Sequence, residues 1–200
     1  MNNNGIIPIH HHLPLLSDER RIKAFRKAIK NLVKENYIVA DLGAGLGILS
    51  LISAECGAIV YAVEKDPCVF ELGKKITKSY SSKVHYMQGD ASTIELPEKA
   101  DVVICEMIDT ALITEEQVIV SNHATNNLLK NTGKIIPNGV RTYAQLIEYD
   151  FSINGFSFPV PSMIDHNSPM PLSHLSNMIL IDQCNLQKVN YSCRTERRQE

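Results

Sequence analysis

The segment Asp41-Leu-Gly43-Ala-Gly45-Leu-Gly47 decides the fold of this chain. It follows the apolar run Tyr37–Leu42, which predicts a buried strand, and it runs into Leu46–Cys56, which we predict to be a helix ended by Gly57. Glycine lets a backbone turn sharply and lie against a ligand where a Cβ atom would clash. Open α/β sheets bind their ligands beyond the carboxyl ends of the strands, where Asp41 stands. The segment therefore predicts a ligand-binding turn whose carboxylate suits a cationic ligand.

Strands and helices alternate on both sides of this turn. The apolar patterns predict further helices at 18–34, 67–79 and 115–129 and further strands at 59–64, 84–87, 101–106 and 134–137. This alternation predicts an α/β fold with a doubly wound, mostly parallel, Rossmann-like sheet. After Gly139 the rhythm changes, and we predict a long strand at 140–151, a proline-rich loop at 152–172 and one more strand at 177–181.

The composition narrows the classes of partner. The chain has 200 residues and a formal net charge of -2, which does not fit a protein held to a polyanion by bulk charge. The basic stretch from Arg20 to Lys30 fits a solvated helix face. Five cysteines and one His10–His12 triplet share no metal-ligand spacing, so we expect no metal site and a reducing, cytoplasmic setting. No apolar run is long enough to suggest a signal peptide or a membrane partner.

The spacing of the glycines predicts the class of cofactor. Dinucleotide enzymes use G-x-G-x-x-G to seat a pyrophosphate, whereas this chain has D-x-G-x-G-x-G, the form typical of methyltransferases. Glu64 ends the second strand, where an acid accepts two hydrogen bonds from a ribose diol. Asp90 follows the third strand, where a polar side chain can hold an adenine amino group. These features predict S-adenosylmethionine as the cofactor, with a dinucleotide as the alternative; Asp66 and Asp90 could instead be helix N-caps or turn residues.

Acidic residues after the fourth strand suggest the acceptor side. Glu106 ends that strand, and Asp109, Glu115 and Glu116 follow it. Two carboxylates that flank a loop can clamp a planar guanidinium, which offers five donors in a rigid fork. The competing interpretation is structural, because Thr114–Gln117 fits a capping box with the threonine as N-cap and the glutamine at the third helical position. The residues alone leave both interpretations open.

In this order, the motifs resemble those of the protein arginine methyltransferases, and the chain is also similar to small archaeal proteins described as predicted RNA methylases. The stretch His12–Arg21 resembles the family's N-terminal helix, in which a His and an Arg bind the carboxylate of the donor. Residues 41–48 are similar to its glycine motif, and Glu64 aligns with its ribose-binding acid. In the third-strand turn the family's adenine-contacting acid falls on Ser92, so Asp90 and Ser92 remain alternatives.

The resemblance extends to the acceptor loop. Residues 106–115 resemble the family's double-glutamate loop, which implies that Glu106 and Glu115 bind the acceptor while Asp109 assists. The chain departs from the family at Met107, Asp109 and Thr110, where the family has an aromatic residue, a glycine and a tyrosine. It also has no tryptophan and too few residues for the family's complete β-barrel and dimerisation arm.

These observations give a predicted division of the chain and a set of candidate residues. We predict a flexible segment at 1–17, an S-adenosylmethionine-binding domain at 18–150 and an appendage at 151–200 that resembles the start of a substrate-covering barrel. The candidate catalytic residues are Glu106, Glu115 and Asp109, and the candidate cofactor-binding residues are His12, Arg21, Asp41, Gly43, Gly45, Gly47, Glu64, Lys65, Asp90, Ala91 and Ser92.

The leading hypothesis is an N-methyltransferase that acts on protein arginine or a related cationic nitrogen, with a protein or peptide as acceptor. An RNA methyltransferase is the first alternative, although Cys105–Ile108 lacks the proline and aromatic residues against which a flipped base stacks. A small-molecule methyltransferase is the second. The third is a donor-binding module, since a truncated barrel leaves the acceptor site uncovered, and a homodimer or a partner chain could complete it.

Overall fold

A five-stranded parallel sheet forms the centre of the protein. The computed structural model describes residues 9–108, 116–144, 146–148, 152–153, 156–157, 173–174, 177 and 179–186. The strands of the sheet are β1 (Ile38–Leu42), β2 (Ile59–Glu64), β3 (Val84–Gln88), β4 (Ala100–Cys105) and β5 (Leu129–Ile136). The helices are α1 (Ile9–Ser17), α2 (Glu19–Leu32), α3 (Ile48–Glu55), α4 (Pro67–Ile76) and α5 (Gln117–His123), with a 3-10 turn at Lys78–Tyr80 and a π-helical turn at Ala124–Leu128.

The strand order places the carboxyl ends of β1 and β4 side by side. The sheet has the strand order β3-β2-β1-β4-β5. Strands β2 and β3 are therefore added on one side of β1, and β4 and β5 on the other side. Leu42 at the end of β1 lies opposite Cys105 at the end of β4. A reversal of this kind opens a crevice between the neighbouring strand ends, and open α/β sheets bind ligands there. The predicted doubly wound fold is confirmed.

Both faces of the central strands β1 and β4 are buried, as expected for parallel strands covered by helices. Val39, Val60 and Val102 point to one face, where they form an apolar cluster with residues of α2 and α3. Ala40 and Val103 point to the other face and pack against residues of α5 and its π-helical extension. Every residue of β1 is buried, so the glycine turn that follows it begins at the edge of the core.

The chain between α5 and β5 differs from the sequence prediction. The predicted helix 115–129 ends as a regular α-helix at His123, and β5 begins at Leu129 instead of at residue 134. Leu129 fits a helical apolar period, but it pairs with Ala100 of β4 across a register shift in the ladder. The sheet pairing therefore overrides the local helical pattern.

The N-terminal segment also differs from the prediction. Part of the segment 1–17, predicted to be flexible, forms helix α1, which spans Ile9–Ser17. Asp18 separates α1 from α2 and caps α2 by accepting a hydrogen bond from the backbone N–H of Arg21 at 2.9 Å. Its own N–H donates to the carbonyl of Pro14 at 3.0 Å, so the first helix leads directly into the second. The resemblance-based expectation of a helix at His12–Arg21 describes this part better than the composition does.

Past β5 the described strands pair two by two. These strands are β6 (Gly139–Ala144), β7 (Ile147–Glu148), β8 (Ser152–Ile153), β9 (Phe156–Ser157), β10 (Ser173–His174) and β11 (Ile179–Asn185), and β6 pairs with β11, β7 with β10 and β8 with β9. The chain divides into two compact units, one of residues 1–140 and 185–200 and the other of residues 141–184. The predicted boundary at residue 150 stays a prediction. Within the described ranges, no helix is long and apolar enough to cross a membrane.

Candidate active site

A cleft lies at the carboxyl ends of β1, β2 and β4, under helix α1 and the start of α2. It holds about 1040 Å³ of empty space when the part open to solvent is counted. All the candidate cofactor-binding residues line it except Gly47 and Ser92. Glu106 and its neighbour Met107 line the same cleft, so the predicted donor and acceptor sides share one space.

The glycine turn forms the floor of the cleft. Gly43, Gly45 and Gly47 have φ angles of 72°, 57° and 87°, which lie in the left-handed region that favours glycine. The backbone N–H of Gly43 donates to the carbonyl of Val63 at 3.0 Å, which ties the turn to β2. A Cβ atom at Gly47 would lie 2.3 Å from the hydroxyl of Tyr86, so this glycine serves the packing beneath the turn.

Glu64 connects the glycine turn to the start of α4. One oxygen of its carboxylate accepts a hydrogen bond from the N–H of Gly45 at 2.9 Å, and the other accepts from the N–H of Asp66 at 2.8 Å. A carboxylate has about four lone-pair positions, so both oxygens can still accept bonds from a ligand. Asp66 is the N-cap of α4, in line with the structural interpretation of this residue.

Asp41 is a buried carboxylate at the end of β1. Only 2% of the residue is exposed, and the hydroxyl of Ser50 donates to its Oδ2 at 2.6 Å. Burial raises the pKa of Asp41 from 3.8 to about 6, while the hydrogen bonds from Ser50 oppose the rise. A buried carboxylate next to a ligand cleft favours a cation as its partner, because a bound cation stabilises the ionised form.

Lys65, Asp90 and Ser92 form a polar cluster at another part of the rim. Lys65 Nζ lies 2.8 Å from Asp90 Oδ2, and the hydroxyl of Ser92 donates to Asp90 Oδ1 at 2.6 Å. The hydrogen bond from Lys65 is the main reason that the pKa of Asp90 falls to about 2. Asp90 lines the cleft, whereas Ser92 does not line it and donates a hydrogen bond to Asp90.

On the acceptor side, Glu106 is paired with a guanidinium group. Arg21 Nη2 donates to Glu106 Oε2, and Arg21 Nη1 donates to the carbonyl of Leu15 at 3.1 Å. The third nitrogen, Nε, is buried without a hydrogen-bond partner in the described part of the chain. The guanidinium also lies 5.7 Å from the ring centroid of Phe25. The pair therefore leaves a hydrogen-bond donor of Arg21 unsatisfied beside the cleft.

The other two candidate catalytic residues, Asp109 and Glu115, lie outside the described residues. The prediction of a capping box at Thr114–Gln117 is wrong. Helix α5 begins at Gln117, and its N-cap is Glu116, whose side chain makes no capping hydrogen bond. Gln117 is instead fully buried, and its Oε1 accepts a hydrogen bond from the N–H of Met107 at 2.7 Å. The sequence reasoning missed this residue as part of the site, because its pattern fits a helix start equally well.

Comparison with known proteins gives the family. The TRM5/TYW2 methyltransferase domain matches residues 17–131, more than half of the chain. The chain belongs to this methyltransferase domain family. The matched residues include the glycine turn and the strands from β1 to β4, and they run up to the start of β5.

Individual relatives are similar to the chain over about two thirds of its length. An uncharacterized protein of Methanocaldococcus jannaschii is 43% identical over 143 residues, which are 70% of this chain and 55% of the relative. The "probable protein arginine N-methyltransferase 1.2" of Arabidopsis thaliana is 37% identical over 144 residues, 68% of this chain and 39% of the relative. The chain thus spans about half or less of the length of these relatives.

A solved structure shares the fold. The PRMT1 enzyme–prozyme heterotetrameric complex of Trypanosoma brucei with AdoHcy superposes with a TM-score of 0.73 at 22% identity, over 90% of this chain and 62% of that chain. This likeness supports the Rossmann-like methyltransferase fold of the central sheet.

Proposed function

We propose that this methyltransferase domain transfers a methyl group from S-adenosylmethionine to a guanidinium nitrogen of protein arginine, or to a related cationic nitrogen. The observation that carries the proposal is the pairing of Glu106 with the guanidinium of Arg21 inside the cleft. The carboxylate at the end of β4 pairs with a guanidinium of the protein itself, which supports a role for it in binding an arginine acceptor.

The residues of the cleft fit the proposed cofactor. A Cβ atom at Gly45 would lie 3.1 Å from Nδ1 of His12, so glycine lets the His12 ring lie close against the turn in the cleft. Arg21 lines the cleft, and its guanidinium group suits the carboxylate of the methionine part. Asp41 suits its ammonium group, and Glu64 suits its ribose hydroxyls. Asp90 would accept a hydrogen bond from the adenine, with Lys65, Ala91 and Ser92 around it.

The chemistry then requires mainly orientation and charge from the protein. S-adenosylmethionine supplies a methyl group on a positively charged sulfur. Glu106 would hold the acceptor nitrogen in line with that methyl group, and orientation of this kind can supply roughly 7–11 kcal/mol of a barrier. Its negative charge would also stabilise the positive charge that grows on the nitrogen during attack. In this proposal Glu115 completes the clamp and Asp109 assists it.

The relatives support this acceptor. The Arabidopsis relative is named for protein arginine N-methylation, and the Trypanosoma structure contains AdoHcy, which is what S-adenosylmethionine becomes after methyl transfer. An RNA acceptor is the second candidate, because the TRM5/TYW2 family match is compatible with it. A homodimer or a partner chain that completes the acceptor site, and a cytoplasmic location, stay predictions.

The test of the proposal uses the purified protein, methyl-labelled S-adenosylmethionine and a cell lysate. One half of the product is digested with protease and the other half with ribonuclease. We expect the label to leave the macromolecular fraction with protease alone and to appear as methylarginine after acid hydrolysis. Loss of label with ribonuclease alone would favour the RNA acceptor. Bound donor with no label in either fraction would favour a small-molecule acceptor or a missing partner chain.

A further inference from the structure

Gln117 links the parts of the chain that flank residues 109–115 of the acceptor loop. Its Oε1 accepts a hydrogen bond from the N–H of Met107 at 2.7 Å, and its Nε2 donates to the hydroxyl of Ser121 at 3.0 Å. The two joined positions, 107 and 117, lie on either side of residues 109–115. This hydrogen bond therefore fixes the distance between the end of β4, which precedes that segment, and the start of α5, which follows it.

The environment of Gln117 makes the hydrogen bond strong and specific. The side chain is fully buried, and Ser121 is only 1% exposed. Burial raises the pKa of the Cys105 thiol to about 12, and hydrogen bonds with Ser121 and Gln117, which oppose the rise, place this thiol in the same cluster. A buried amide that lost its partner would leave unsatisfied polar groups in a region of low dielectric, which is costly. Gln117 therefore has one favourable arrangement.

Met107 is the residue through which this arrangement reaches the cleft. Its backbone follows Glu106 directly, and its sulfur lies 3.1 Å from the position that a Cβ atom at Gly43 would occupy. Met107 and Glu106 both line the cleft. A fixed Met107 amide sets the direction in which the chain leaves β4, and thus the direction of the Glu106 carboxylate. A displacement of about 1 Å at a reacting group can cost about 100-fold in rate.

We infer that Gln117 is a positioning residue for methyl transfer, which holds Glu106 toward the acceptor through the backbone of Met107. The inference rests on the proposed function only for the effect of Gln117 on the rate of methyl transfer. Its physical core, the anchoring of the Met107 amide by a buried side chain, is independent of which acceptor the protein uses.

Three variants test the inference. Gln117→Met has a similar length and removes both hydrogen bonds, while Gln117→Glu keeps an oxygen that can accept from Met107. Val120→Ala is the matched control, because Val120 is a fully buried residue of the same helix that packs in the apolar cluster. Truncating it removes apolar packing from α5 and leaves the side chain of Gln117 and its two hydrogen bonds in place.

The first measurement is hydrogen exchange of the Met107 amide by NMR, which needs no acceptor. We expect at least a tenfold faster exchange in Gln117→Met, partial recovery in Gln117→Glu, and in Val120→Ala only the change expected from its lower overall stability. Exchange at the wild-type rate in Gln117→Met would overturn the inference, as would equal acceleration in Val120→Ala.

The second measurement is transfer of label from S-adenosylmethionine to an arginine-containing peptide, with donor affinity from calorimetry. We expect kcat to fall at least tenfold in Gln117→Met while the Kd for the donor changes less than twofold and Val120→Ala stays active. Wild-type turnover in Gln117→Met, or a matching loss in Val120→Ala, would overturn the inference. If the wild-type protein labels no arginine peptide, the proposed function fails, and hydrogen exchange alone decides the role of Gln117.

Discussion

Asp41 should make the stability of the protein depend on pH in an unusual direction. Most carboxylates in folded proteins have lowered pKa values and stabilise the fold as pH rises. Asp41 is buried at the carboxyl end of β1, and its pKa is raised from 3.8 to about 6. Between those two pH values the native protein binds more protons than the unfolded chain at this residue. The contribution of Asp41 to stability is therefore lost as pH rises through this window.

The size of the effect follows from the shift. One pKa unit corresponds to about 1.4 kcal/mol, so the rise from 3.8 to about 6 corresponds to about 3 kcal/mol of unfolding free energy. An Asp41→Asn variant does not ionise and lacks this dependence. The difference in unfolding free energy between the variant and the wild type should therefore grow by about 2–3 kcal/mol, in favour of the variant, from about pH 4 to about pH 7. A constant offset from the changed hydrogen bonds does not affect this comparison.

Urea denaturation of both proteins across that range measures the difference. Ser50→Ala provides a second test. The hydroxyl of Ser50 lowers the pKa of Asp41, so its removal should raise that pKa further and extend the pH range over which stability falls to higher pH. Asp41→Asn should also weaken S-adenosylmethionine binding, since it removes the charge proposed to hold the ammonium group. A difference in stability that stays constant with pH, or shrinks as pH rises, would refute this account of Asp41.

Three further substitutions test the cleft. Gly47→Ala should destabilise the protein by about 1–3 kcal/mol in thermal unfolding, because φ at this position is 87° and the new Cβ would meet the hydroxyl of Tyr86. Unchanged stability would contradict this packing. Arg21→Ala should weaken donor binding by roughly 10- to 100-fold in calorimetry, since a hydrogen bond to a charged group contributes about 1.5–3 kcal/mol, and unaltered affinity would remove Arg21 from the donor site. Glu64→Gln should cost about 1–3 kcal/mol in urea denaturation, because one of two backbone N–H groups loses its acceptor, and a neutral result would mean that the turn does not depend on Glu64.

The donor side was predictable from the sequence because its signals are local. The glycines need backbone angles that few other residues adopt, and the carboxylates of Asp41 and Glu64 stand at the ends of strands whose apolar runs are easily recognised. Parallel strands then bring these ends to one edge of the sheet without any further information. The structure places these residues around one cleft, and their roles toward the donor stay proposals.

The acceptor side was less predictable because its contacts join distant residues. Arg21 and Glu106 are 85 positions apart in the sequence, and no local sequence pattern predicts that they pair. Gln117 fitted a capping box by sequence, yet its side chain turns inward to the amide of Met107. The start of β5 at Leu129 depends on the pairing of this residue with Ala100 of β4. The helical spacing of apolar residues in the sequence does not predict this pairing.

The most direct test of the central claim is methyl transfer by Glu106→Gln. The wild-type and variant proteins are given labelled S-adenosylmethionine and an arginine-containing peptide, and donor affinity is measured in parallel. The wild type should form methylarginine, while the variant should lose roughly 100- to 1000-fold in kcat and bind the donor within about threefold of the wild type, because the lost charge acts on the acceptor. Transfer at the wild-type rate, or loss of donor binding together with activity, would contradict the role proposed for Glu106.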